Sequence, residues 1–509
     1  MTDLVIGTGP SGVSVATALL ARGRRVLMLD GGKVPEPNSV TRREEMAGTP
    51  PENWTEAQKA DWQAPQFATP PGQVRRFGSD FAMEPARATL SAADDIGLRA
   101  SMAEGGLSNL WGSAVLPNRA QDIFDWPIGP DELSPHYKAV ADFMPVSGRS
   151  DDLENVLPAF SMQGRTALTP SPQAGRFLDR LERQKSKLAE LGVVGGTSRL
   201  AVAPGCTYCG QCLHGCPWGF IWSARNTLST LRNHPEFEHR TGAVRRFDET
   251  PGNVSVTLDT GETLTADRVF VATGVLETAR LLMTSGNGAL TSMTLKDSQH
   301  FFLPSLHRWR APRRPDQFPF HTLPQAFLEV DDPDISPYLV HAQIYTWNEF
   351  FAHDLVSNYG SKLPGTAPFW RALARRLIVA QVFLHSDHSA RINLTLASDG
   401  RLTPSVAHNA ETHPVISSAT SRLAKAFGKI GLSTLSFAAR AGEPGSGFHV
   451  GASLPMSSDP LQGQSDILGR PKGLSRVHVV DASVLPSIPA TTITFSVMAN
   501  AHRIGTLAG

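Results

Sequence analysis

Residues 4–12, together with Asp30, constrain this chain more than any other stretch. They read L-V-I-G-T-G-P-S-G. An apolar run passes straight into Gly7, Gly9 and Gly12 at G-x-G-x-x-G spacing, with Pro10 and Ser11 between the last two glycines. A helical pattern follows at once (Val13, Val15, Ala16, Ala18, Leu19, Leu20) and stops at Gly23. A second apolar run over residues 25–29 ends in Asp30 and Gly31. Strand, tight turn, helix, strand and acid in that order predict the opening unit of an α/β sheet that binds a nucleotide. Gly7 permits the sharp turn, Gly9 lets the backbone approach a pyrophosphate, and Gly12 lets helix and strand pack closely. The helix N-terminus offers N–H groups and partial positive charge to phosphates, and Asp30 can accept hydrogen bonds from ribose hydroxyls.

The rest of the composition narrows the class. The chain has 509 residues, 41% hydrophobic and 18% charged, which is ordinary globular usage with length for two or three domain-sized units. Lys plus Arg number 47 and Asp plus Glu number 47. Without a basic imbalance, no nucleic-acid partner is expected. The first strand begins close behind Met1, leaving no room for a signal peptide, and no apolar run is long enough to span a bilayer. A cytoplasmic protein is the expectation. All four cysteines fall between 206 and 216, so a disulfide scaffold is not the theme.

Residues 34–100 read as loop with brief helices. Residues 102–117 (M-A-E-G-G-L-S-N-L-W-G-S-A-V-L-P) combine Gly105, Gly106 and Gly112 with Ser108, Asn109 and Trp111. They suit either a tight surface turn or a backbone bed for a flat ring. Helices are expected around Tyr137, Val140 and Phe143, capped by Asp131 or Ser134, and over 173–191. Cys206, Cys209, Cys212 and Cys216 have spacings x2, x2, x3, followed by Pro217, the spacing of bacterial ferredoxins. In two-cluster ferredoxins the fourth Cys of such a run serves another cluster, and no second run exists here. An iron–sulfur cluster (3Fe–4S or 4Fe–4S), a zinc site and a metal-free loop all stay open, with His214 inside the run as a substitute ligand.

Short strands are expected at 244–247, 254–258 and Leu264, then a buried strand over 268–274 with small residues Ala272 and Gly274, followed by a helix over 275–282. Between 290 and 440, candidate strands at 321–330, 339–345, 377–384 and 390–396 suggest an antiparallel sheet, and 367–377 reads as a basic amphipathic surface helix. The C-terminal part holds G-F-H-V-G around His449, a strand ending in Asp481 and Ala482, and a Thr-rich turn (Thr491, Thr492, Thr494) into a helix through Ile504.

These blocks, in order, resemble the glucose–methanol–choline (GMC) oxidoreductases: the glycine fingerprint, G-G-L-S-N-L-W-G, W-P-I with L-S-P-H-Y, V-A-T-G-V-L-E-T-A-R-L-L, F-H-V-G, and V-V-D-A-S-V-L-P with its terminal helix. The resemblance implies FAD as cofactor. It implies an α/β fold with a Rossmann-like FAD-binding domain, discontinuous over 1–290 and 441–509 with a cysteine-rich loop at 204–220. An α+β substrate domain on an antiparallel sheet would span 291–440. By position, His449 corresponds to the family's catalytic His, Asp481 and Ala482 to residues at the ribityl chain and pyrophosphate, and Gly105, Gly106, Ser108 and Asn109 to the bed beside the isoalloxazine. Thr492 stands where the family usually has a second His or an Asn. The cysteine run resembles a subset that pairs FAD with an iron–sulfur cluster and passes electrons to a carrier or quinone.

The implied reaction oxidises an alcohol CH–OH group, a sugar or polyol by family default, by hydride transfer to flavin with His449 as base. Imidazole suits that role because its ordinary pKa lies near 6.5. Other readings are an oxidase that uses O2 without a cluster, an electron-transfer subunit, and a lyase that retains flavin for structure.

Overall fold

The computed structural model describes residues 2–63, 81–82, 90–91, 96–285, 290–308, 314, 316–357 and 365–509. Its first layer is a five-stranded parallel sheet in the order Val477–Val479, Arg268–Val271, Thr2–Ile6, Arg25–Asp30 and Phe237–Thr241. The opening unit folds as expected: the helix Pro10–Ala21 starts one residue after Gly9, with Pro10 at a position that needs no N–H donor. The 268–274 segment returns beside the first strand, register Leu4 to Val269. The terminal helix Thr494–Leu507 crosses Pro10–Ala21 closely because Gly505 has no side chain; a Cβ there would lie 2.9 Å from Ala18 Cβ and from Val15 O. A three-stranded antiparallel meander, Val244–Glu249, Val254–Leu258 and Thr263–Ala266, follows the predicted pattern.

The second layer is a larger antiparallel sheet in the order Leu432–Thr434, His300–His307, Leu377–Phe383, Val340–Tyr345, Ala326–Val330 and Val193–Thr197, with Arg440–Ala441 paired beside the His300–His307 strand. Alternation gives it two unlike faces. Phe301, Leu303, Leu328, Ile344, Ile378 and Val382 pack under the helices Pro172–Arg183 and Thr412–Lys429. The other face carries Glu329, His341, Gln343, Tyr345, Phe383 and His300, the neighbours in register of the apolar set. A four-stranded sheet, Leu402–Ala407, Arg391–Leu396, Ser292–Asp297 and Val450–Gly451, ties this segment to the C-terminal stretch holding His449.

Several boundaries depart from expectation. The helix at Tyr137 begins at Pro130, and its first turn is closed by Glu132, whose Oε1 accepts from the Gly129 N–H at 3.1 Å; neither Asp131 nor Ser134 caps it. The helix expected over 173–191 breaks at Gln184 into Pro172–Arg183 and Lys185–Ala189. The strand expected from residue 321 starts at Ala326, after Pro324. The basic helix is Ala367–Ala374, with Phe369 exposed. Within 34–100, brief helices Pro37–Ala47 and Glu56–Gln63 form as anticipated, and part of that stretch lies outside the described residues. Among the described residues no helix is long and apolar enough to cross a membrane.

Burial makes the fold acid-sensitive. It pushes His321, His385 and His478 down to about 4, and His307 and His449 to about 3. Unfolded histidines take up protons near pH 6.5 and these do not, so their contribution is complete above that pH and is lost as pH falls towards 3–4. Burial has the opposite consequence for Asp122 and Asp297, raised to about 6 and about 7, and for Asp125 and Asp481, but these four face seven histidines once His136, also down to about 4, and His502 are added. The melting temperature is expected to drop steadily between about pH 7 and about pH 4.5. A flat or rising profile over that window would contradict this assignment.

Candidate active site

A cleft of about 970 Å³ opens at the C-terminal ends of the first parallel strands. Its lining includes Gly7, Gly9, Pro10, Ser11, Asp30 and Gly31 from the opening unit, and Ala272, Gly274, Asp481 and Ala482 from the returning segments. The sheet therefore gathers in space residues separated by more than 400 positions.

The three glycines divide the labour by steric demand. Gly7 has φ +106°, and a Cβ on it would lie 2.3 Å from Ala272 O. Gly12 could not carry a Cβ without approaching Gly7 O to 2.0 Å. At Gly9, by contrast, a Cβ meets no protein atom within 4 Å. Two glycines are required by the protein itself, and the third keeps open a space beside the helix N-terminus, as a pyrophosphate needs. Asp30 is held below the usual carboxylate range: burial opposes its ionisation, but the nearby His239 imidazole, 3.6 Å away, and hydrogen bonds from Thr8 and the Gly32 amide outweigh it. Thr8 Oγ1 donates to Oδ2 at 2.5 Å and Gly32 N to Oδ1 at 2.8 Å. An ionised acid at the end of the second strand is the acceptor a ribose needs. Asp481 is buried, which raises its pKa. Its carboxylate accepts from Gly274 N at 2.9 Å, Thr278 Oγ1 at 2.5 Å and Ser483 N at 2.9 Å. It locks the C-terminal segment onto the Gly274 turn at the cleft wall. These features fit the FAD that the sequence implied.

Ser108 Oγ donates to Gly105 O at 2.6 Å and accepts from Ala224 N at 2.9 Å. Asn109 Nδ2 donates to Glu104 O at 3.0 Å and Gly106 O at 2.7 Å. Both side chains are spent on their own loop, and a Cβ on Gly105 would face Arg225 rather than the cleft. Of this stretch Gly106 lines the cleft as expected, together with Leu107 and residues 98–103, of which 98–101 carried no signal in the sequence.

His449 lies on the loop whose residues Phe448 and Val450 line this cleft, although His449 itself does not. Its ring stacks on Phe383 with centroids 4.6 Å apart, and its carbonyl accepts from Ser298 N at 2.9 Å. The neighbouring Phe448 has φ +63°, lines the cleft and is 47% exposed. A bulky residue in the left-handed region is costly and marks a loop whose shape is imposed by its site. His449 Nδ1 is enclosed without a hydrogen-bond partner. Burial, with smaller contributions from His341 and His300, pushes the imidazole down to about 3, so at neutral pH it is in the proton-accepting form. Thr492 is buried and its Oγ1 has no hydrogen-bond partner; it does not line the cleft, although Ile493 and Thr494 do. His502 pairs with His136, Nδ1 to Nδ1 at 2.9 Å.

The iron–sulfur reading of the cysteine run finds no support in the structure. Among the described residues no three His, Cys, Asp or Glu side chains are grouped to hold a metal. Cys206, Cys209, Cys212 and Cys216 are all free and partly buried. Burial raises Cys206, Cys212 and Cys209, the last to about 11. His214 is engaged elsewhere, its Nε2 2.6 Å from Glu349 Oε1. Cys209 packs against Trp54, Trp62 and Trp218 in a small apolar cluster.

Residues 371–501 match the family model described as GMC oxidoreductase. Among solved structures, pyridoxine 4-oxidase from Mesorbium loti is similar over 99% of this chain and 98% of that chain, with a TM-score of 0.59 and 16% sequence identity. No curated protein matches the chain.

Proposed function

We propose that the chain is a GMC-type, FAD-dependent oxidoreductase acting on CH–OH groups and that it oxidises a polar alcohol with His449 as the base. When bound, FAD supplies the acceptor for the hydride from the substrate carbon. The protein's task is to bind, orient and take the hydroxyl proton. What supports this reading is the loop of His449: a neutral imidazole beside the strained Phe448, stacked on Phe383 of the sheet's polar face and flanked by Phe448 and Val450, which line the cleft. Thr492 can orient a hydroxyl by hydrogen bonding but cannot act as a base near neutral pH. A sugar or polyol is the class best matched to the sheet face, where Gln343, Gln381 and Tyr345 lie within two strands. Tyr345 Oη donates to Gln343 Oε1 at 3.1 Å.

The electron acceptor is a carrier, a quinone or O2, and no step is routed through the cysteine run. Its iron–sulfur reading rests on spacing alone. Cys209→Ser is therefore expected to change alcohol-driven flavin reduction by no more than about threefold, a packing effect only. Iron and acid-labile sulfide in anaerobically purified protein, lost together with turnover in Cys209→Ser, would restore the cluster reading. The reading as a whole is tested by anaerobic flavin reduction with a panel of alcohols. A flavin-retaining lyase would leave the flavin oxidised.

A further inference from the structure

A closed ring of polar contacts surrounds the end of the second parallel strand. Asp30 Oδ2 accepts from Thr8 Oγ1, which itself accepts from Gly105 N at 2.9 Å. On the other side, Asp30 Oδ1 lies 3.6 Å from His239 Nε2. His239 belongs to the strand Phe237–Thr241 and stands in register with Met28, two residues before Asp30, so His239 and Asp30 share one face of the sheet. His239 Nδ1 lies 3.0 Å from Arg232 Nη2, and Arg232 Nη2 donates to Glu104 Oε2 at 2.7 Å. Glu104 precedes Gly105 in the chain, which closes the ring. Asp30 and Glu104 are buried, and the side chain of His239 is 11% exposed. His239 Nε2 is enclosed without a hydrogen bond of normal length.

A guanidinium has donors only, so His239 Nδ1 accepts from Arg232. A proton on Nδ1 would set two donors against each other. The ring proton therefore sits on Nε2, the nitrogen that faces Asp30. We propose that His239 is a positioning residue for FAD binding: its Nε2–H faces the Asp30 carboxylate and holds it in place as the acceptor for the ribose hydroxyls. This inference rests on the reading of Asp30 as that acceptor. The carboxylate needs such support because burial alone favours its protonated form, in which one oxygen donates instead of accepting. Thr8 and the Gly32 amide each take one acceptor position, and a carboxylate offers about four, so acceptor positions remain for the ribose. An apolar side chain on the same strand would fill the space as well and would leave no enclosed nitrogen unsatisfied. The imidazole is explained by what it does to its neighbour.

The test reads FAD affinity, not turnover. The FAD-loaded full chain is diluted serially at neutral pH, and free FAD in the filtrate gives a dissociation constant for the parent and each variant. Circular dichroism and melting temperature check folding. His239→Gln keeps an amide N–H at the reach of Nε2. His239→Asn keeps a contact for Arg232 but is too short for Asp30, and His239→Phe keeps the ring without its nitrogens. The expected result is a His239→Gln protein within about twofold of the parent, with His239→Asn and His239→Phe weaker by about fivefold or more. His239→Phe as the best binder would mark a packing role, and His239→Asn as the best an anchor for Arg232. Either ranking, or three variants of equal affinity, would overturn the inference. If His239→Phe does not fold, the order of His239→Gln and His239→Asn decides. Asp30→Asn separates the two readings. Parental affinity in Asp30→Asn would remove the role of Asp30 and this inference together, whereas affinity lost in Asp30→Asn and kept in His239→Phe would strike this inference alone.

Discussion

His449→Ala is expected to bind FAD as the parent does and to reduce it at least about 100-fold more slowly with alcohol, the usual scale of general-base catalysis. Cofactor retention follows from geometry, because the glycine turn, Asp30 and Asp481 hold the cleft without help from His449. The rate loss follows from chemistry, since no other residue of the 447–451 loop can take a proton near neutral pH. Folding is little threatened: the ring is partly exposed and its enclosed Nδ1 makes no hydrogen bond that truncation would break. Thr492→Ala is expected to cost less, in KM more than in rate. Rapid mixing of the FAD-loaded variant with alcohol measures the effect, and reduction at the parental rate would remove His449 from the mechanism.

Two glycine substitutions should separate cofactor binding from folding. Gly9→Val introduces atoms into space that no protein atom fills, at a backbone conformation open to any residue (φ −67°, ψ −177°). The product should be folded, near-parental in secondary structure, and colourless, because the side chain occupies the pyrophosphate approach. Gly12→Val instead drives a Cβ towards Gly7 O at 2.0 Å, inside a turn fixed by the Gly7 N–H bond to Leu29 O at 2.7 Å. It should lose stability by about 3 kcal/mol or more, since backbone overpacking has no side chain to relax. Circular dichroism, melting and FAD content distinguish the two. A yellow Gly9→Val protein would show that the cofactor does not use this turn.

How much was legible follows from how local the determinants are. The unit from Thr2 to Asp30 could be read directly, because glycine spacing, helix period and the terminal acid act within one continuous stretch. His449 was legible through resemblance, and its stacking partner Phe383 was not, since only strand register brings residues 66 positions apart together. The backbone partners of Ser108 and Asn109 could not be read from the sequence, since short polar side chains satisfy neighbouring backbone as readily as a ligand. The His300–His307 strand was missed because Pro304 lies inside it. The alternation in Val340–Tyr345, V-H-A-Q-I-Y, did announce a polar face. That its His would meet Glu329 depended on the register of the hairpin, which sequence alone leaves open. The cysteine spacing was legible, but spacing alone does not distinguish a cluster loop from a packed one, and the packing of Cys209 against the Trp54 and Trp62 cluster comes only with the fold.

The central claim, that this chain takes a proton and a hydride from an alcohol in a cleft holding FAD, is tested most directly by anaerobic titration of the yellow, purified protein with sugars, polyols and simple alcohols. The account predicts that at least one polar alcohol bleaches the visible flavin absorption and yields its carbonyl product in equal amount, with colour returning on addition of an acceptor. Flavin that stays oxidised with every alcohol, in a protein that dithionite reduces normally, would contradict it.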